Sequence, residues 1–526
     1  MKKMLVFLLL FGALNHSFAQ SKTQIAITTS EVGTDYRTNT PIMAREYQFD
    51  LPVFRFYPAP NHQMLTVQVR KKTASTGLWK STGRLTVADP GTGQIKWQKK
   101  LNYTGTVVQQ LDNVIFEQKG NKLSRLNAID GKTIWNRATT AYRLFPEFDL
   151  ALCYDTPTTG FTTLYGINTS TGQSIWKRDI SGEYGWQNTD MIADSTLMVV
   201  AQGLHTLDVR DGTGWDINRV SHAKKTDMAK VGLAILGGAA GAAMGYMMIP
   251  YGTFSDYYLN ISSNILYDGD EFYFAAKDKI SRHTLDGKAL WKTDLDQKKT
   301  SKSHLFKEGN TIYMLNSGYA LKYGRPAALG NPYVVAFDAE SGTQLFLKEW
   351  EERKNFVSDY LIEGNELYLL YQDRVDIQRF SPEGLQQKYI ARIDQDAKMS
   401  SFVTDEIFMK QDSSYSQTSL DRDHFYIFSE KGELFRFSND FESSEKVDMN
   451  SLYKNYLQTD EYLFLGNKSE TRILEKTTRR EVARCDAPIS SMRYDKKLYY
   501  AKDNKLCELD ISNFISKQSP ATPFSN

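Results

Sequence analysis

No feature of this sequence narrows its possible folds as far as a short line that recurs along it. The line is an apolar-alternating run, an Asp or Asn, a turn closed by Gly, three residues and then Trp. It reads Leu85-Thr-Val-Ala-Asp-Pro-Gly-Thr-Gly93 up to Trp97, and Leu126-Asn-Ala-Ile-Asp-Gly131 up to Trp135. It returns from Leu164 to Gly172 and Trp176, and from Leu285 to Gly287 and Trp291. Each Gly-to-Trp separation is four residues, and Trp97, Trp135 and Trp176 lie 38 and 41 residues apart. A period of this length means units that cannot bury an apolar face alone and therefore stack on their neighbours. Weaker copies run from Leu207 to Trp215, from Phe337 through Gly342 to Phe346, and from Phe380 to Gly384 and Lys388. Two decayed copies near Phe437 and Leu474 bring the count to nine.

Each copy predicts a β-hairpin, because alternating apolar residues make a strand and Asp/Asn-Gly turns supply the positive φ of a tight connection. Gly93, Gly131, Gly172, Gly287 and Gly342 are expected at those turns. A large aromatic at a fixed place after the turn can wedge against the neighbouring sheet. Trp97, Trp135, Trp176 and Trp291 are the expected wedges, with Trp215 and Phe346 in the weaker copies. A second hairpin pattern lies between the copies, as in Glu308-Gly-Asn310 before Thr311-Ile-Tyr-Met-Leu and Glu363-Gly-Asn365 before Glu366-Leu-Tyr-Leu-Leu. Two hairpins per unit give four strands, which is a propeller blade. The expectation is an all-β chain forming a single β-propeller over residues 20–515, with eight blades and a range of seven to nine. The segment from Met492 to Ile511 lacks a closing turn, so a strand near Gln24 to Thr29 or Val53 to Tyr57 is expected to complete the last blade.

With their Asp, Thr-Gly and Trp positions, these lines resemble the pyrroloquinoline-quinone-like (PQQ-like) propeller repeat over most of residues 60 to 510. The resemblance implies the fold strongly and the function weakly, since the family holds quinoprotein dehydrogenases and cofactor-free members. Among the latter, the chain is similar to the propeller scaffold subunits of outer-membrane β-barrel assembly machineries.

The first 19 residues read as a secretory signal: Lys2 and Lys3, an apolar stretch from Leu5 to Leu14, and Ser17-Phe18-Ala19 before Gln20. No cysteine follows that site, so no lipid anchor is expected there. Export to the periplasm or cell envelope, with outer-membrane association, is the expected localisation. Without Lys2 and Lys3, 62 basic residues face 62 acidic ones, a balance that argues against nucleic acid as a partner. Cys153, Cys485 and Cys507 are odd in number and widely spaced, which excludes a disulfide framework. Buried free thiols are the preferred reading, with a Cys485–Cys507 bridge as the alternative. The tail, 516–526, is expected to be disordered.

Between Lys230 and Asp256 no charged residue occurs. This apolar insertion, bounded at 223–258, is expected to be helical. Val231, Leu233, Ile235, Leu236, Met247, Met248 and Ile249 are its large apolar contacts, and Gly237, Gly241 and Gly245 recur every fourth position. A single membrane crossing conflicts with a closed ring, so the run must return. A re-entrant hairpin in a membrane, an arm docked on a partner and a flap over the propeller all satisfy that, and an anchoring or docking arm is favoured over the flap.

Catalytic signals are missing. Quinoprotein dehydrogenases carry, by the family resemblance, adjacent cysteines and a calcium site; no adjacent cysteines and no Cys-x-x-Cys-His haem sequence occur. The histidines at 62, 205, 222, 283, 304 and 424 lack zinc spacing, and no Gly-x-Ser-x-Gly elbow marks a nucleophile. Asp208 to Gly212 and Asp268-Gly-Asp270 read as hairpin turns, not calcium loops. Lys298, Lys299 and Lys302 read as solvated turn residues. The expected function is a non-catalytic scaffold without cofactor, binding envelope or membrane-associated proteins through loops such as Ser317 to Pro332 and Gln411 to Asp421 and through the insertion. A quinoprotein oxidoreductase using PQQ and calcium is the alternative.

Overall fold

The computed structural model describes residues 24–515, except 59–63, 112–113, 156–160, 182–185, 187, 225–256, 323–324, 351–354, 382–383, 394–397, 405–406, 412–413 and 418–423. Strands dominate it, and their burial follows their place in a stack. Thr196–Ala201, a second strand, is buried on both faces, whereas Ala289–Asp294, a fourth strand, alternates half-buried and exposed positions. Strands covered on both sides must lie in sheets packed face to face, and the fourth strands form the periphery.

Eight separate four-stranded antiparallel sheets follow one another in the chain. They span 53–102, 106–137, 140–181, 188–218, 266–294, 303–349, 359–392 and 399–446, and are called sheets 1 to 8. Sheet 9, 452–485, and sheet 10, 492–510, lie within one eleven-stranded assembly. The fourth strand of sheet 10 is Thr40–Gln48, which pairs with Lys505–Asp510 through Ala44↔Leu509 and Gln48↔Lys505. Ala26–Asp35 pairs with Thr40–Gln48 and also reaches sheet 9 through Gly33↔Cys485. Neither stretch expected from sequence is that fourth strand: Gln24 to Thr29 leads into the strand outside Thr40–Gln48, and Val53–Pro58 opens sheet 1.

The apolar cores lie between sheets. Leu85 and Val87 of sheet 1 meet Ile115 and Leu126 of sheet 2, and Leu152 and Leu164 of sheet 3 meet Leu197 and Val199 of sheet 4. Phe464 and Ile473 of sheet 9 meet Leu498 and Tyr500 of sheet 10. Val53 and Val67 of sheet 1 then meet Tyr499 and Leu506 of sheet 10, closing the circle. Among the described residues the pairing thus counts ten four-stranded groups, where nine repeat copies, set against the family resemblance, led to an expectation of eight. The nine copies fall on sheets 1 to 9 in order, and sheet 10, whose fourth strand comes from the N-terminal side of the chain, has none. Cys153, Cys485 and Cys507 are buried free thiols.

Because strands alternate in direction, the repeat turns and the loops joining first to second strands share one end of the ring, the turn face. Loops joining second to third strands, and each sheet to the next, share the opposite end, the far face.

Candidate functional site

The recurrent glycines and tryptophans sit at the seams between sheets. A Cβ on Gly131 would meet the Trp97 ring at 2.7 Å, and Trp97 Nε1 donates to the Ala128 carbonyl at 2.8 Å. Trp135 repeats this with Gly172 and Thr169 O (2.9 Å), and Trp176 with Gly212 and Val209 O (2.8 Å). Trp215 uses Gly287 and Leu285 O (3.0 Å), and Trp291 uses Gly342 and Ala339 O (2.9 Å). These glycines have φ between 70° and 86°, so backbone conformation and ring contact both require them. Phe346 faces Gly384 at 3.4 Å without a donor. Gly212, read from sequence only as part of a hairpin turn, is the seat of Trp176; its own copy places Trp215 three residues later rather than four. Gly93 has no preceding indole; a Cβ there would lie 2.4 Å from Ile25 O, so the N-terminal segment fills that place.

The far face carries the other group. Val231, Leu233, Ile235, Leu236, Gly237, Gly241, Gly245, Met247, Met248 and Ile249 lie outside the described residues, but the root from which they leave is defined. Ala223–Lys224 pairs with Tyr257–Tyr258, through Ala223↔Tyr258 and Lys224↔Tyr257. Beside it stands a hairpin, Tyr319–Lys322 with Arg325–Ala328, inserted between the second and third strands of sheet 6. Leu259 and Leu321 exchange backbone bonds of 2.8 and 2.9 Å and join the two pairs into one platform. Ala223, Tyr258, Ile261, Ala320, Ala327 and Leu329 form its buried underside. Small alanines let the platform lie close to the ring.

Cations are built into this platform. Lys322 is 6% exposed, with Nζ 5.1 Å from the centre of the Tyr258 ring. Lys302, read from sequence as solvated, is covered by the hairpin. Its backbone N–H donates to Tyr319 O at 2.7 Å and its Nζ lies 3.4 Å from Asn260 Oδ1. Burial lowers this ammonium to about 8. His304 is brought down to about 4 by burial and then by Lys302, while Lys299 pairs with Glu349 at 2.6 Å. The other loop singled out, Gln411 to Asp421, begins in a hairpin, Ile407–Gln411 with Ser414–Gln417, that pairs with the free edge of the first strand of sheet 9; residues 418–423 lie outside the described set.

Elsewhere the polar groups are engaged by the fold. Asp208 is held at about 2, chiefly by its bond to Arg210 (2.6 Å), and Asp268 pairs with Lys307. These carboxylates do not fit a calcium site, and no cluster of three His, Cys, Asp or Glu residues suited to a metal occurs among the described residues. His205 Nδ1 lies 2.7 Å from Asp216 Oδ1, and burial pushes the imidazole down. A cleft of about 230 Å³ lies at the seam of sheets 10 and 1. Its Glu508 already accepts from Tyr47 (2.9 Å) and Lys497 (2.6 Å). No helix among the described residues is long and apolar enough to cross a membrane.

Residues 58–223 match the family described as outer membrane protein assembly factor BamB. The match runs from the end of the first strand of sheet 1 through sheet 4 and stops where the platform begins. No curated protein matches the chain. Among solved structures, BamB from Moraxella catarrhalis is 14% identical, covering 78% of this chain and 99% of its own, with a TM-score of 0.30. The computationally designed Ika8 protein is 9% identical, covering 74% and 97%, at 0.29. A eukaryotic initiation factor is 9% identical, covering 70% and 97%, at 0.30.

Proposed function

We propose that this chain is an exported, non-catalytic propeller that holds envelope or membrane-associated proteins against its far face. The reading rests above all on the paired root: Lys224 and Tyr257 face each other across two strands, so the apolar run 231–249 leaves and returns at one point of a rigid platform. An apolar arm on a rigid base is suited to docking, because the scaffold bears the cost of ordering before the partner arrives. The BamB-like match over 58–223 supports an envelope setting. The engaged carboxylates at Asp208 and Asp268 give the quinoprotein alternative no calcium donors at these turns.

Removing 226–256 tests the proposal, since the facing strand ends can be rejoined by a short turn. The shortened protein should melt within a few degrees of the parent and lose its crosslinked envelope partners and membrane association in intact cells. Unchanged partners and membrane association would reject the proposal. So would a rise in melting temperature on adding PQQ and calcium, because a ligand bound to the native state must stabilise it.

A further inference from the structure

On the far face of sheet 1 the second and third strands, Leu65–Lys72 and Trp79–Ala88, run past the sheet into a hairpin at 73–78. Its tip carries Leu78, 68% exposed, beside Trp79, 37% exposed. This tip is rigid. Arg70 donates to the Lys80 carbonyl from Nε (3.0 Å) and Nη2 (2.7 Å), and Thr73 N–H donates to Leu78 O at 2.8 Å. Trp79 stands edge-on to Phe54, with ring centres 5.2 Å apart, and Lys72 Nζ sits 4.6 Å from its centre. Arg70 lies 4.4 Å from the centres of both Phe54 and Tyr103. The exposed apolar pair is therefore held outward by a cation–aromatic ledge.

Charge surrounds it on one sign. Lys71, Lys72 and Lys80 flank the tip, and the neighbouring hairpin of sheet 2 adds Lys119 and Lys122, all exposed. The nearby carboxylates Asp50 and Glu117 are bound to Arg84 and Lys99. On the turn face, by contrast, the exposed Ile129 has the exposed Asp130 beside it.

We propose that the 73–80 hairpin is a lipid contact. In it Leu78 and Trp79 enter the headgroup boundary of an anionic phospholipid surface, and the five lysines lie over its phosphates. Indole and aliphatic side chains partition to that boundary, and basic residues beside them are drawn to anionic lipid. A protein partner fits less well, since two apolar residues fall far short of the area, of order 1,000 Å², that a stable interface covers. The contact lies on the same face as the platform but uses none of its residues, and would set the docking face against the membrane.

The test labels Leu78→Cys in the full mature chain with an environment-sensitive fluorophore; the native thiols are buried and stay unlabelled. Ile129→Cys, 77% exposed on the turn face, is the control. Vesicles of phosphatidylcholine containing phosphatidylglycerol should shift the probe at 78 to the blue and leave the probe at 129 unchanged, while pure phosphatidylcholine should shift neither. Lys71→Glu with Lys80→Glu should weaken the shift by about tenfold or more. The probe at 78 should still respond when 226–256 is removed, so this contact and the proposed docking arm stand or fall separately. No response at 78 to anionic vesicles, an equal response at 129, loss of the response with the arm, or a response only to added envelope proteins would each overturn the proposal.

Discussion

From sheet 1 to sheet 6, neighbouring sheets are joined mostly by an indole that rests on a glycine turn and donates to its carbonyl, from Trp97 on Gly131 to Trp291 on Gly342. Beyond sheet 6 the join changes character. Phe346 covers Gly384 without a hydrogen bond, and the turns of sheets 8 and 9 place Phe441 (φ 59°) and Arg479 (φ 57°) in the left-handed conformation where glycine would be easiest. Packing of side chains takes over: Phe425 stacks on Phe441 at 4.8 Å and lies 4.9 Å from Tyr368. Ala26–Asp35 bridges sheets 9 and 10. The same geometric need, locking one sheet to the next, is met by a local motif in the first region and by long-range packing and strand exchange in the second.

The largest effect should come from the second region's exchanged strands. Removing 24–48 deprives sheet 10 of its fourth strand and opens the ring, so the chain should lose its cooperative melting transition and elute as aggregate on gel filtration. A monomer with an unchanged transition would mean that closure lies elsewhere.

Next in size is a contrast of seams. Trp176→Ala removes a buried ring and its bond to Val209 O and should cost about 3–5 kcal/mol in urea unfolding. Phe346→Ala, at a half-buried ring without a donor, should cost about 1–2 kcal/mol. The reverse order would remove the distinction between the two kinds of join.

Acid should probe the two regions through different groups. His283 is 1% exposed, stacked on Phe272, and burial lowers it to about 4. The folded state keeps this ring neutral while the unfolded chain protonates it below about 6.5. Its contribution is therefore complete above pH 6.5 and lost as pH falls towards 4, roughly 2–3 kcal/mol in all. Glu470 is held below its usual range by Tyr453 and Arg472 against the opposing effect of burial, so it acts only at lower pH, below about 4.5. Melting followed against pH should show the two windows, and His283→Gln should shrink the upper one, to which the buried His205 and His304 also contribute, while leaving the lower one unchanged.

What the sequence disclosed follows the same division. Gly131, Gly172, Trp135 and Trp176 stand at fixed separations, so their pairing can be read from residues close in the chain, and the family match, 58–223, falls within that region. Sheets 8 and 9 carry Phe441 and Arg479 at their turns, which leaves only decayed copies there, and sheet 10, whose fourth strand comes from Thr40–Gln48, shows no copy at all. The platform joins Leu259 to Leu321 and the ring closes through Gln48 and Lys505; no local pattern records such pairings. Lys302 looked solvated for the same reason, since only the folded hairpin covers it.

Docking against the far face can be checked by placing a photo-crosslinking amino acid at Arg325, exposed on the platform hairpin, or at Ile129, exposed on the turn face, in intact cells. Discrete adducts with envelope proteins are predicted at 325 and none at 129. Equal adducts at both positions, or none at 325 in a folded protein, would contradict a propeller that presents one face to its partners.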